Sequence, residues 1–135
     1  MRYKKTVCIL FVICVAVTFL GIASAAEVTI LGETFNIPDG FEENKTMEKE
    51  TLNSDGTTSL RKGYNNGTAG IIITVNSHNG KPKLPTTMPD FTNKTINGVD
   101  GIYSEDRDIF HYVNDTLSID ISVYNIDIEE IVIPR

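Results

Sequence analysis

The sequence predicts a mainly β protein: an antiparallel sheet or flattened sandwich of seven to eight short strands, followed by a short C-terminal helix. Short apolar and β-branched runs recur along the chain, and turn signals such as Asp55-Gly56 separate them. The clearest run is Leu117–Val123, where apolar and polar residues alternate strictly, as in a strand with one buried face. An α+β fold is the alternative, because the end of the chain also carries a helix signal.

The N-terminus has the three parts of an export signal in the required order. Basic residues come first and are followed by the 16-residue run Val7–Ile22, which is almost wholly apolar. Ala23-Ser24-Ala25 then fits the A-x-A pattern of a signal peptidase site. We predict a signal peptide over residues 1–25, with an uncleaved membrane anchor as the alternative, because the run is near the lower limit for crossing a bilayer. Residues 26–135 are then one extracytoplasmic domain.

Charge and cysteine content exclude several function classes for that domain. Three of the 12 basic residues precede residue 26 and all 18 acidic residues follow it, so the domain has a net charge of 9 − 18 = −9. Nucleic acid needs clustered basic residues, so it is not an expected partner. Both cysteines, Cys8 and Cys14, lie in the N-terminal run. The domain therefore has no disulfide, thiolate metal site or cysteine nucleophile.

The sequence of the first half of the domain predicts β-hairpins. Val28–Ile30 and Phe35–Ile37 flank a turn at Gly32, and two further strands flank Asn53–Gly56. The next run is apolar on both faces, since Ile72 lies between Ile71 and Ile73, which predicts a central strand. The strands around the second turn are 49–52 and 57–64, and the central strand follows Asn65-Asn66-Gly67.

The second half begins with a proline-rich connection and ends ambiguously. Pro82, Pro85 and Pro89 prevent regular pairing, which predicts a long extended segment. Strands are then predicted at 102–103, 109–113 and 117–123. Asp127 and Glu130 resemble a capping box that opens one or two helical turns, although Ile131, Val132 and Ile133 favour a strand. We predict the short helix.

The motifs "VTILGETFNIPDGF" and "TINGVDGIYS…IFHYVNDTLSIDISV…DIEEIV" span most of the domain. They resemble a family of small secreted proteins, of uncharacterised function, encoded by methanogenic archaea. The resemblance implies an export signal, several strands, a short C-terminal helix and an envelope location. It implies no catalytic residue.

Four Asn-x-Thr sequons are candidate N-glycosylation sites: Asn44, Asn66, Asn93 and Asn114. All four fall in segments predicted as turns or loops. An export signal would deliver them to a compartment where glycosylation occurs, while Thr-rich loop composition is the alternative explanation.

Acidic residues cluster at Asp100, Glu105, Asp106 and Asp108. Carboxylate oxygens suit calcium, but the D-x-[DN]-x-[DN]-G spacing is absent, so a solvated turn is the favoured interpretation. His78 and His111 have no partner at metal-ligand spacing. We therefore predict no metal and no cofactor.

The four tyrosines of the domain allow two interpretations. An exposed aromatic face would bind sugars or peptides, whereas packing in the core or on the sheet is the commoner role. The residues are Tyr64, Tyr103, Tyr112 and Tyr124.

Our leading hypothesis is a non-enzymatic extracytoplasmic module that binds a cell-surface or envelope component, with membrane contact only through an uncleaved N-terminus. No catalytic motif such as G-x-S-x-G or a phosphate loop is present. The alternative is a small secreted hydrolase that uses two carboxylates of the acidic cluster. An envelope assembly or stress factor is a third hypothesis, which no residue pattern separates from the first.

Overall fold

The computed structural model describes residues 26–135 and shows a mainly β domain. The predicted signal peptide or anchor, with both cysteines, lies outside the described residues. Within residues 26–135, no helix has the length and apolar character needed to span a bilayer. The strands are β1 Ala26–Ile30, β2 Glu33–Ile37, β3 Glu42–Glu43, β4 Lys49–Leu52, β5 Thr58–Asn65, β6 Gly70–Ser77, β7 Thr92–Ile96, β8 Val99–Ser104, β9 Ile109–Asn114 and β10 Leu117–Tyr124.

Eight strands form one antiparallel sheet in the order β3-β5-β6-β10-β9-β8-β7, in which β3 and β4 pair with successive parts of β5. β6 pairs with β10 over eight residues, from Ser77↔Leu117 to Gly70↔Tyr124. This pairing joins two meanders, one that ends in β6 and one that ends in β10, into a single sheet. The predicted antiparallel fold and the central position of β6 are confirmed.

The hydrophobic core lies between one face of this sheet and a cover made by the β1–β2 hairpin and the C-terminal segment. Ile73, Ile121 and Phe110 are fully buried neighbours across three strands. Phe35 from the hairpin and Ile131 from the C-terminal segment belong to the same buried cluster. A backbone hydrogen bond joins the two parts of the cover: the Asn36 N–H of the hairpin donates to the Ile131 carbonyl of the C-terminal segment at 3.0 Å.

The C-terminal helix is a 3-10 turn, at the lower end of the one or two helical turns predicted. Residues Ile128–Glu130 form a single 3-10 turn, and no α-helix occurs among the described residues. Asp127 is the N-cap, as predicted, and its side chain accepts from the Glu129 N–H at 3.1 Å. The chain then turns into the core, where Ile131 and Val132 are buried. The β-branched residues after the cap are therefore core contacts and neither extend the helix nor pair as a strand.

Two strands were missed by the sequence analysis. β3 has only two residues and no apolar alternation. β7 is an edge strand that is exposed except at Ile96, so burial leaves no pattern in its sequence. Its hairpin with β8 turns at Asn97 and Gly98, which both have positive φ (53° and 83°). The Arg135 N–H donates to the carbonyl of Asn97 at 2.9 Å.

The proline-rich connection has no regular structure, as predicted. It spans residues 78–91, from the end of β6 beside Leu117 to the start of β7 beside Tyr103. Because β10, β9 and β8 lie between β6 and β7 in the sheet, the connection crosses these three strands.

Candidate binding face

On the sheet face opposite the core, residues 26–135 form no second layer of strands, and we call this face the open face. Cross-strand partners point to the same side of a sheet. Ile72, Ser122 and Ile109 form one row across three strands of this face, and Thr74, Asp120 and His111 form the next row. The open face is therefore built mainly from the rigid central strands β6, β10 and β9.

A groove of about 160 Å³ lies at one end of the open face. Its floor includes Ile72 and Ser122, which pair across β6 and β10. Met47 lines one side and packs over Gly63, where an added β-carbon would lie 2.7 Å from the Met47 sulfur. Tyr124 lines it too and is 68% exposed. The groove is thus a shallow, largely apolar site on a rigid floor.

Tyr64 also lines the groove, but its ring belongs to the core. It pairs in register with Ile71 and is 5% exposed. Burial, with a smaller contribution from the Glu43 carboxylate, raises the Tyr64 pKa to about 12. Because Glu43 pairs with Tyr64 on the core face, this carboxylate lies on the other side of the sheet from the groove floor. On the groove side, Arg61 Nε donates to the Met47 carbonyl at 3.1 Å.

Both histidines lie on the open face and each contacts a residue of β10. His111 Nδ1 pairs with the Asp120 carboxylate across β9 and β10. His78 Nε2 is 2.8 Å from Ser118 Oγ, and His78 lies in the connection just after β6. His111 faces away from the core on β9, which is an interior strand of the sheet.

The proline-rich connection covers part of the open face. Ser118 is only 8% exposed beneath His78, so the prediction that this face of β10 meets water is wrong at this residue. Ile102, in register with His111, is 4% exposed on the same side of the sheet. Both buried residues lie outside the row of Ile72 and Ser122, which forms the floor of the groove.

The Ser118–His78 contact resembles a nucleophile beside a base, but it lacks the rest of such a site. The Ser118 hydroxyl is buried, and the carboxylate on the neighbouring residue of that face, Asp120, pairs with His111 instead. The pair therefore anchors the start of the connection to β10.

The four residues of the acidic cluster lie in different environments in the structure. Asp100 accepts from the Thr95 hydroxyl at 2.6 Å on the β7–β8 hairpin, and Asp108 accepts from the Tyr103 hydroxyl at 2.6 Å. Glu105 and Asp106 are exposed in the β8–β9 turn. No group of three His, Cys, Asp or Glu side chains in residues 26–135 is placed to hold a metal ion.

Glu105 and Asp106 line a separate hollow of about 280 Å³. Asp90, Phe91 and Tyr103 line it as well. The hydrogen bond to Asp108 and, second, burial raise the Tyr103 pKa to about 12. This hollow, at the end of β8, is the one place where two of the sequence-predicted carboxylates line the same described cavity.

The tyrosines do not form one aromatic face. Tyr64 and Tyr112 are buried and Tyr103 is half-buried, which agrees with the packing interpretation for these three residues. Tyr124 alone among them is largely exposed.

Two of the four sequons lie in strands instead of the expected turns and loops, and the other two lie in turns as expected. Asn93 lies within β7 and Asn114 is the last residue of β9. Asn44 is the N-cap of a 3-10 turn at Lys45–Met47, and Asn66 lies in the turn between β5 and β6.

No known family model, curated protein or solved structure matches this chain. The groove, the hollow and the residues that line them are therefore the basis for inferring a function.

Proposed function

We propose that the domain is a non-enzymatic extracytoplasmic module that binds another envelope protein through the groove on its open face. The observation that carries this proposal is the exposed Tyr124 ring beside an apolar floor on two central strands. Exposed aromatic residues next to a preformed pocket are typical of the anchoring positions in protein interfaces. A rigid floor also reduces the ordering cost of binding.

The size of the groove favours one side chain of a protein partner over a whole small molecule. Small-molecule sites have volumes of roughly 300–1,000 Å³. The groove has about 160 Å³, which suits one apolar anchor residue with the rest of the contact spread over the flat face around it.

Charge defines the chemistry of the partner further. The described domain has a net charge of −9. A segment with one large apolar residue flanked by lysine or arginine would be attracted and oriented by this field. We infer a basic partner segment of that kind.

The test is selection of a random displayed peptide library on the wild-type domain. Enriched peptides should combine an apolar anchor with basic neighbours. Tyr124→Ala should weaken their binding by at least about tenfold, because it removes the aromatic ring at the rim of the groove. Leu52→Ala is the matched control, since Leu52 is 75% exposed but lies outside the groove, and it should bind like wild type.

Two outcomes contradict the proposal. One is the absence of any enriched peptide, and the other is equal binding to wild type and Tyr124→Ala. A Glu105→Gln/Asp106→Asn variant tests the acidic hollow in the same assay. Loss of binding only in that variant would move the site to the hollow, where two carboxylates also suit the alternative of a small hydrolase.

A further inference from the structure

Asn66 is held in the turn between β5 and β6 by bonds to only one end of its side chain. Its Oδ1 accepts from the Thr68 N–H at 3.0 Å, the Thr68 hydroxyl at 3.1 Å and the Ala69 N–H at 2.7 Å. These three donors fix the amide plane. Because Oδ1 and Nδ2 leave the same carbon in different directions, Nδ2 points away from the turn.

The acceptor nitrogen of Asn66 is accessible. Asn66, Gly67 and Thr68 are all exposed at the tip of the hairpin. Among the hydrogen bonds within residues 26–135, Asn66 Nδ2 donates none. The asparagine and the threonine hydroxyl of this sequon are thus held together on a projecting turn.

The other sequons lack one of these properties. Asn114 Nδ2 donates to Glu33 Oε1 at 2.8 Å, inside a polar cluster under the hairpin. Asn93 lies in an extended strand, and the hydroxyl of its Thr95 donates to Asp100. Asn44 lies in a similar turn, but the residue is half-buried. Its backbone N–H donates to the Gly63 carbonyl at 2.8 Å.

We propose that Asn66 carries an N-linked oligosaccharide and that Asn114 does not. In the transfer, Asn66 Nδ2 forms a bond to the anomeric carbon of a sugar carried on a lipid phosphate. The bond from that carbon to the phosphate oxygen breaks, the lipid phosphate leaves with the electron pair, and Nδ2 gives one proton to a base of the transferase. The proposal is independent of the binding function above and depends on export of the chain.

The fold itself enforces the contrast between the two sites. A sugar on Asn114 would remove the hydrogen bond to Glu33 and would have to occupy the space between β9 and the β1–β2 hairpin. A sugar on Asn66 meets solvent. A chain modified at Asn114 could therefore not close its core, whereas a chain modified at Asn66 folds unchanged.

The experiment is glycopeptide mass spectrometry of the full chain expressed with its own N-terminus in its native cells. A sugar mass is expected on the peptide that contains Asn66 and none on the peptide that contains Asn114. Thr68→Ala should remove the modification and Thr68→Ser should keep it, because serine also completes the sequon. Thr116→Ala, which removes the Asn114 sequon but leaves Asn114 to bind Glu33, should change nothing.

An unmodified Asn66 peptide overturns the proposal, and so does a sugar mass that Thr68→Ala leaves in place. Modification found only at Asn114 would overturn it as well. These outcomes are read without any binding partner, so they cannot be confused with failure of the groove to bind.

Discussion

Glu33 is a carboxylate that is 4% exposed, and three side chains from distant parts of the chain satisfy it. The Tyr112 hydroxyl donates to Oε2 at 2.8 Å, Asn114 donates to Oε1 at 2.8 Å, and the Arg135 guanidinium donates to Oε2 at 2.6 Å. A buried charge is tolerated only when it is paired and hydrogen-bonded. The cluster therefore holds the β1–β2 hairpin, β9 and the C-terminal segment in one arrangement.

Tyr112→Phe should lower the free energy of unfolding by about 1.5–3 kcal/mol, because it removes a hydrogen bond to a charged group that stays buried. Tyr124→Phe is the matched control. Its side chain is 68% exposed, so the loss should be less than about 0.5 kcal/mol. Urea denaturation of both variants measures the difference. Equal losses would mean that the Tyr112 hydroxyl does not stabilise the fold.

This cluster could not be predicted from the sequence. Glu33 and Tyr112 are 79 positions apart, and Glu33 lies next to a turn, where an acidic residue is ordinary. The groove could not be predicted from the sequence either. Met47, Ile72 and Tyr124 come from three separate segments, and each residue alone has a common structural explanation.

At the scale of elements, β10 is the strand on which the sheet depends most. It pairs with β6 over eight residues and with β9 over six, and Ile119 and Ile121 are fully buried. The alternation in its sequence predicted its core face correctly, because a period of two maps directly onto the two sides of a strand.

Ile121→Ala should cost about 2–5 kcal/mol, since it leaves a cavity between Ile73 and Phe110. Ser122→Ala, one residue further on the open face, should cost less than about 0.5 kcal/mol. Chemical denaturation of the two variants tests the register. A larger loss at Ser122 than at Ile121 would place the core on the other side of the sheet.

The alternation of apolar and polar residues predicted the strands that bury one face. It failed where residues distant in the sequence determine whether a side chain is buried. β7 is exposed apart from Ile96 and shows no alternation. Ser118 has the sequence context of a solvent-facing residue, but a connection that starts 40 positions earlier covers it. Which segment crosses which face is decided by tertiary packing, and a single strand's sequence does not record it.

At the scale of the whole molecule, three tyrosines couple stability to alkaline pH. The pKa is raised to about 12 for Tyr64 and Tyr103, and burial, with the Glu33 carboxylate second, raises it further for Tyr112. An unfolded tyrosine has a pKa of about 10. The native state therefore holds these protons more tightly than the unfolded state does.

The contribution of these tyrosines to the free energy of unfolding should be fully present below about pH 10 and should be lost as pH rises through about 12. Urea denaturation at several alkaline pH values measures the slope, and absorbance near 295 nm follows tyrosinate formation. Tyr112→Phe should show a weaker dependence than wild type. A constant free energy of unfolding across this range would contradict the assignment of these tyrosines to a protected environment.

The pairing of β6 with β10 has a consequence for how fast the domain folds. Short turns join most other neighbours in the sheet, and residues 44–57 separate β3 from β5. The pairing of β6 with β10 brings together residues that are 40 positions apart at Ser77↔Leu117 and 54 apart at Gly70↔Tyr124. Closing such a loop costs chain entropy before any contact compensates for it. We therefore expect the two meanders to form early from local contacts and the pairing of β6 with β10 to follow as the slower step.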